Sequence, residues 1–146
     1  MTGIEKQMVR DSYEVIRTYQ EAVFVLFYGR MFQLDPSIRS LFHVDIRVQA
    51  KKLAQTLDVL VASLDGLDAL RPRLRELGRT HHTYGVEPHH YQTLTEALLW
   101  AFGQALSGGF PREVRAAWKQ VLDLVNGEMI AAQAEAAAAR RQAELK

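Results

Sequence analysis

Apolar residues recur at spacings of three and four through residues 8–16 and again through 23–32, the period of a helix with one buried face. No segment sustains the strict alternation of a half-buried strand, so the pattern predicts an all-α chain. In "QLDPSIRSLF" Asp35 stands as an N-cap with Pro36 at the first helical position, which predicts a short helix ending near Leu41 or Phe42. The loop "HVD" leads into a helix over 46–64. "DGLD" turns the chain around Gly66, a helix follows over 68–83 with Pro72 tolerable only near its start, and "GVEP" opens another over 89–106. After "SGGFP" a last helix runs from Arg112 into the tail.

Helical phase then singles out polar residues on apolar stripes. Leu70, Leu74, Leu77 and Tyr84 share one stripe, and His81 fills the missing step, so it points inward. His82 lies about 100° further round, beside Arg75 and Arg79, and reads as solvated. The stripe Leu53, Leu57, Leu60 and Leu64, continued back by four, reaches Gln49. Tyr28 sits among Phe24, Phe27, Met31 and Phe32. Burying such groups unpaired costs on the order of 1–3 kcal/mol each. Either they satisfy one another and backbone carbonyls, or they face a ligand; the pattern alone leaves both open.

A chain of 146 residues with 48% hydrophobic residues suits one domain around a single core. The 18 basic and 17 acidic side chains give a net charge of +1 and are scattered, so no footprint for nucleic acid or an anionic membrane stands out. The absence of cysteine removes disulfides, thiolate metal sites and cysteine nucleophiles. The charged start lacks the apolar stretch of a secretory signal, and no run approaches a membrane span, so a soluble cytoplasmic protein is expected. The carboxylates, serines and glycines form no catalytic triad or phosphate loop. "HHTYGVEPHH" invites a metal reading, but a Gly-Pro break separates His81 from His89, and no run of carboxylates is adjacent. Trp100 and Trp118 read as core packing. The stretch "AAQAEAAAARRQAELK" is rich in helix formers with little to pack and sustains no heptad seam. Residues 1–133 are thus read as the domain and 134–146 as a solvent-exposed helical tail.

The segments "LFYGRMFQLDPSIRSLF", "LGRTHHTYGV", "HHYQTL" and "RAAW", taken in their order and spacing from about residue 5 to 130, resemble the globins. The likeness is nearest to single-domain bacterial haemoglobins, the globin halves of flavohaemoglobins and neuroglobin. It implies a three-over-three helical sandwich around haem b. Position by position, the resemblance makes His81 the iron ligand through Nε2, its other ring nitrogen donating to a backbone carbonyl near Leu77. It places Tyr28 and Gln49 as hydrogen-bond donors over the iron, Leu53 beside the bound gas, and Phe42 against the haem ring. Val86 and Tyr91 would line the proximal half, and Lys52 would reach a propionate.

Two donors aimed at the charge that develops on bound oxygen, at roughly 1.5–3 kcal/mol each, would slow oxygen release by several powers of ten relative to an apolar pocket. The resemblance therefore implies tight, reversible oxygen binding, with nitric oxide and carbon monoxide as further ligands. Nitric oxide dioxygenation follows as the implied activity, dependent on an external reductase because 146 residues leave no room for one. Gas sensing, or plain oxygen carriage and storage, are the alternatives. Glutamine is a poor iron ligand, which leaves the sixth position open, with His43 and Tyr28 as candidate resting-state ligands. Flavohaemoglobins set a glutamate and a tyrosine against the proximal histidine. Counting from Trp118 puts Gln133 at the glutamate position, with Glu135 two residues on, so peroxidase activity should be weak. A monomer or weak dimer is expected.

Overall fold

The computed structural model describes residues 1–43, 45–106 and 110–145. Val44 in the "HVD" loop, residues 107–109 of "SGGFP" and the terminal Lys146 lie outside the described residues. The described residues are helices and their connections: α1 (Gly3–Thr18), α2 (Gln20–Leu34), α3 (Ile46–Ala62), α4 (Arg71–Thr83), α5 (Pro88–Ala105) and α6 (Arg112–Glu144). Short 3-10 turns, Pro36–Leu41 and Leu64–Leu70, follow α2 and α3. No strand occurs among the described residues, as the apolar period predicts.

Local signals account for most boundaries. A reciprocal Thr2–Glu5 cap starts α1. The Asp35 carboxylate accepts the Ser37 amide at 3.1 Å and begins the turn that delivers Phe42. Between α3 and α4 the chain departs from expectation. The regular helix expected from Asp68 begins only at Arg71, after a 3-10 stretch kinked at Gly66. Pro72 is the cause: its ring would clash with the carbonyl four residues back, so a regular helix cannot extend through it toward Asp68.

α2 packs along α5, α4 along α6, and α1 bridges to α6, while α3 lies against α2. Phe24, Phe27, Phe102, Trp118 and Leu98 fill the shared interior. Trp118 is fully buried, and its indole N–H donates to Ser12 Oγ at 2.8 Å, which satisfies the one polar atom it carries inward. Trp100 corrects the core reading: it is 36% exposed, with the Arg30 guanidinium 5.1 Å above its ring. Tyr84 also leaves the predicted stripe. At 63% exposure it caps α4 instead of continuing it, because the helix ends one residue earlier.

The approach of α4 to α6 is unusually close at one residue. A Cβ on Gly78 would stand 2.5 Å from the Met129 carbonyl oxygen and 2.8 Å from its Cα. Backbone meets backbone there, so only glycine lets α4 seat at this depth. The charged rim of the same contact carries Arg75, which pairs with Glu128 and Glu135. α6 continues past Gln133 without a break, and residues 139–145 are exposed.

Candidate functional site

His81 occupies the last turn of α4, and the way that helix stops sets its position. Val86 N–H donates to the His81 carbonyl at 3.0 Å and Gly85 N–H to the His82 carbonyl at 3.1 Å, a Schellman turn. Gly85 takes φ 88°, a left-handed conformation that side chains with a Cβ resist. The chain reverses within three residues and begins α5 at Pro88, which places Tyr91 against the imidazole.

The His81 ring is half-buried, and burial lowers its pKa, so the neutral form is favoured. Its Nδ1 lies 3.4 Å from the Tyr91 hydroxyl. Burial pushes that phenol up to about 12. Protonated at Nδ1, the imidazole donates to the Tyr91 oxygen and keeps a lone pair on Nε2, which has no partner among the described residues. The globin resemblance implies a carbonyl near Leu77 as the Nδ1 partner. A hydroxyl from the next helix stands at that nitrogen instead, and its orienting effect on the ring is the same in kind.

Gln133 and Glu135 separate cleanly. Gln133 is 3% exposed, and its Nε2 donates to the Val86 carbonyl at 2.6 Å. Glu135 turns outward to Arg75. The one of the two that turns inward is therefore the neutral amide, and among the described residues no α6 carboxylate hydrogen-bonds the imidazole.

Tyr28, from α2, is 6% exposed, edge-on to Phe42 with ring centroids 5.5 Å apart and stacked at a tilt on Phe27 at 4.8 Å. Burial raises its pKa above the ordinary phenol value, so the side chain stays an O–H donor. That donor is almost unspent: its partner is the backbone carbonyl of Gln49, at the outer limit of 3.5 Å. Gln49 is half-buried near the start of α3, one turn before half-buried Leu53. Phe42, Leu77 and Val86 are likewise half-buried, while Lys52 and His43 are exposed. His82 is half-buried, drier than the solvated position its phase suggests.

The haem that the resemblance implies can be tested against these residues. α3 packs on α2 and α4 on α6, without extensive packing between α3 and α4. Leu53 on α3 and Leu77 on α4 are left half-buried, as are Phe42 and Val86. Apolar groups held at the edge of a core, a neutral imidazole with Nε2 free, and a buried phenol lacking a good acceptor fit a flat, iron-bearing porphyrin. The donor set contains nothing that conflicts with it.

Helical phase points Tyr28, Gln49 and His81 inward, and the structure buries the first and half-buries the other two. Phase did not find Gly78, whose signal would have been the small residue one turn before His81 on a packed face. Nor did it find the meeting of Asp35 with His89 and His90, which lie within 4.8 Å of one another by their ligand atoms.

The globin family model matches residues 25–129. Neuroglobin of Tetraodon nigroviridis is 26% identical over 143 residues, covering 88% of this chain and 90% of its own. A flavohemoprotein of Halalkalibacterium halodurans is 25% identical over 123 residues, covering 82% of this chain but 30% of the larger protein. An engineered carbene transferase from Rhodothermus marinus, whose parent carries a provisional nitric oxide dioxygenase assignment, superposes with a TM-score of 0.87 at 26% identity. That match covers 97% of this chain and 99% of the other.

Proposed function

The chain belongs to the globin family, and from that premise we propose that it is a haem-b globin binding oxygen tightly and reversibly, and turning over nitric oxide when an external reductase is supplied. The observation that carries this reading is the His81 imidazole, neutral, oriented by Tyr91 and free at Nε2. Haem, when bound, supplies the iron centre at which a diatomic gas is held. His81 would anchor it. Phe42, Leu53, Leu77 and Val86 would exclude water along its faces, and exposed Lys52 would reach its acidic edge.

Tyr28 and Gln49 are assigned the donor role. A phenol O–H whose acceptor among the described residues lies at the 3.5 Å limit, together with the half-buried Gln49 amide, would stabilise negative charge on a bound gas and favour polarised ligands over carbon monoxide. Gln133 supports oxygen holding over peroxidase chemistry, since the buried α6 side chain beside the Gly85 turn is a neutral amide donating to the Val86 carbonyl and not a carboxylate. Conversion of nitric oxide and oxygen to nitrate takes one electron per turnover, which is why a reductase is part of the proposal.

The test is nitric oxide consumption by the haem-loaded protein under air with a reductase and a nicotinamide donor. Sustained consumption with equimolar nitrate supports the enzyme reading. A single stoichiometric burst despite a reducible iron would leave an oxygen carrier and remove the dioxygenase.

A further inference from the structure

Away from the His81 site, the first turn of α5 and the corner after α2 bring three metal-ligating side chains together. His89 and His90 follow Pro88 at the start of α5, and Asp35 is the N-cap of the 3-10 turn Pro36–Leu41. Their ligand atoms all lie within 4.8 Å, the one such grouping of three among the described residues. We propose that Asp35, His89 and His90 form a binding site for a divalent transition-metal cation of the zinc class, separate from the haem iron.

The geometry is close to what such a cation needs. Donors bonded tetrahedrally at about 2.0–2.1 Å stand roughly 3.3–3.5 Å apart. His90 Nε2 faces Asp35 Oδ2 at 3.9 Å, and His89 Nδ1 faces Glu87 Oε2 at 3.4 Å, so small side-chain rotations close the shell. Asp35 is already fixed, because its Oδ1 accepts both the amide (3.1 Å) and the hydroxyl (2.6 Å) of Ser37, leaving Oδ2 aimed at His90. His90 is held too, its side chain only 12% exposed. His89 and Glu87 are open to solvent, which gives the ion an entry path and lets Glu87 or water complete four-coordination.

Two imidazoles and a carboxylate are a nitrogen and oxygen set suited to zinc, and the chain has no thiolate to compete for it. The positive end of α5 opposes a cation, but Asp35 and Glu87 together place two negative charges beside it. One bond stands in the way. Glu87 N–H donates to His90 Nδ1 at 2.9 Å, which puts the ring proton on Nε2. Coordination through Nε2 moves that proton to Nδ1 and breaks the bond, so loading opens the reciprocal cap at the start of α5.

The test is titration of the haem-loaded full chain, stripped with chelator, with zinc chloride by calorimetry in a non-coordinating buffer. One ion per chain is expected, with an X-ray absorption signature at the zinc edge of nitrogen and oxygen ligands that includes imidazole. Asp35→Asn, which can still cap the turn, and His89→Gln, on an exposed side chain, should each weaken binding at least tenfold. His43→Gln and His82→Gln should leave it unchanged. Absence of zinc binding, or undiminished affinity in both Asp35→Asn and His89→Gln, overturns the site. Retained haem absorbance in the variants separates this result from any failure of the globin reading.

Discussion

Gln133 donates to the carbonyl of Val86 at 2.6 Å, tying the last helix to the residue that follows the Gly85 turn. Its Oε1 is buried without a partner among the described residues, so the amide is committed through its donor alone. Gln133→Glu removes that donor at neutral pH and faces a carboxylate against a carbonyl, for an expected loss of about 1–3 kcal/mol. Burial would raise the introduced carboxyl's pKa above its unfolded value. The variant should thus approach the parent at pH below the ordinary glutamate range, where a protonated acid donates, and fall behind as pH rises. Denaturant unfolding across that range checks this; a penalty independent of pH would show that the Val86 bond is not the cause.

Glycines in this chain divide by what surrounds them. Gly78→Ala drives a methyl into the Met129 backbone and should destabilise by about 1–3 kcal/mol while loosening haem, since α4 carries His81 one turn on. Gly29→Ala and Gly127→Ala meet nothing within 4 Å in helix interiors and should stabilise by roughly 0.5–1 kcal/mol. Melting temperatures of the three variants must split in sign for this packing account to stand.

His81 also predicts a pH dependence. Its folded pKa lies below the ordinary 6.5 because burial penalises the charged ring. Folding therefore favours the neutral form, and the associated stability is present above the unfolded pKa and is lost as pH falls beneath it. In the haem-free chain, His81→Phe should flatten the slope of unfolding free energy between about pH 7.5 and 5.5. Parallel slopes for variant and parent would place the titration elsewhere.

The proposed donors are tested one at a time. Tyr28→Leu and Gln49→Leu should each speed oxygen dissociation at least about tenfold, the equivalent of one charge-assisted hydrogen bond. Carbon monoxide dissociation should change much less. Stopped-flow measurement on both ligands makes the comparison, and equal effects on the two gases would point to altered pocket shape in place of lost donors.

Much of this protein was legible in one dimension because helices repeat at short range. Spacings of three and four predicted the helices and the inward phase of His81, and cap chemistry predicted the Asp35-Pro36 start, all of which depend on residues within a turn or two. Tertiary structure decided what depended on distant partners. It chose Gln133 over Glu135 behind Val86, set the Tyr91 hydroxyl at His81 Nδ1, exposed Trp100 and Tyr84, and joined Asp35 to His89 and His90. Apolar period reports which face of a helix is dry. Which atom of another helix lies opposite follows from how deeply the helices seat, and here that depth is set by backbone contact at Gly78.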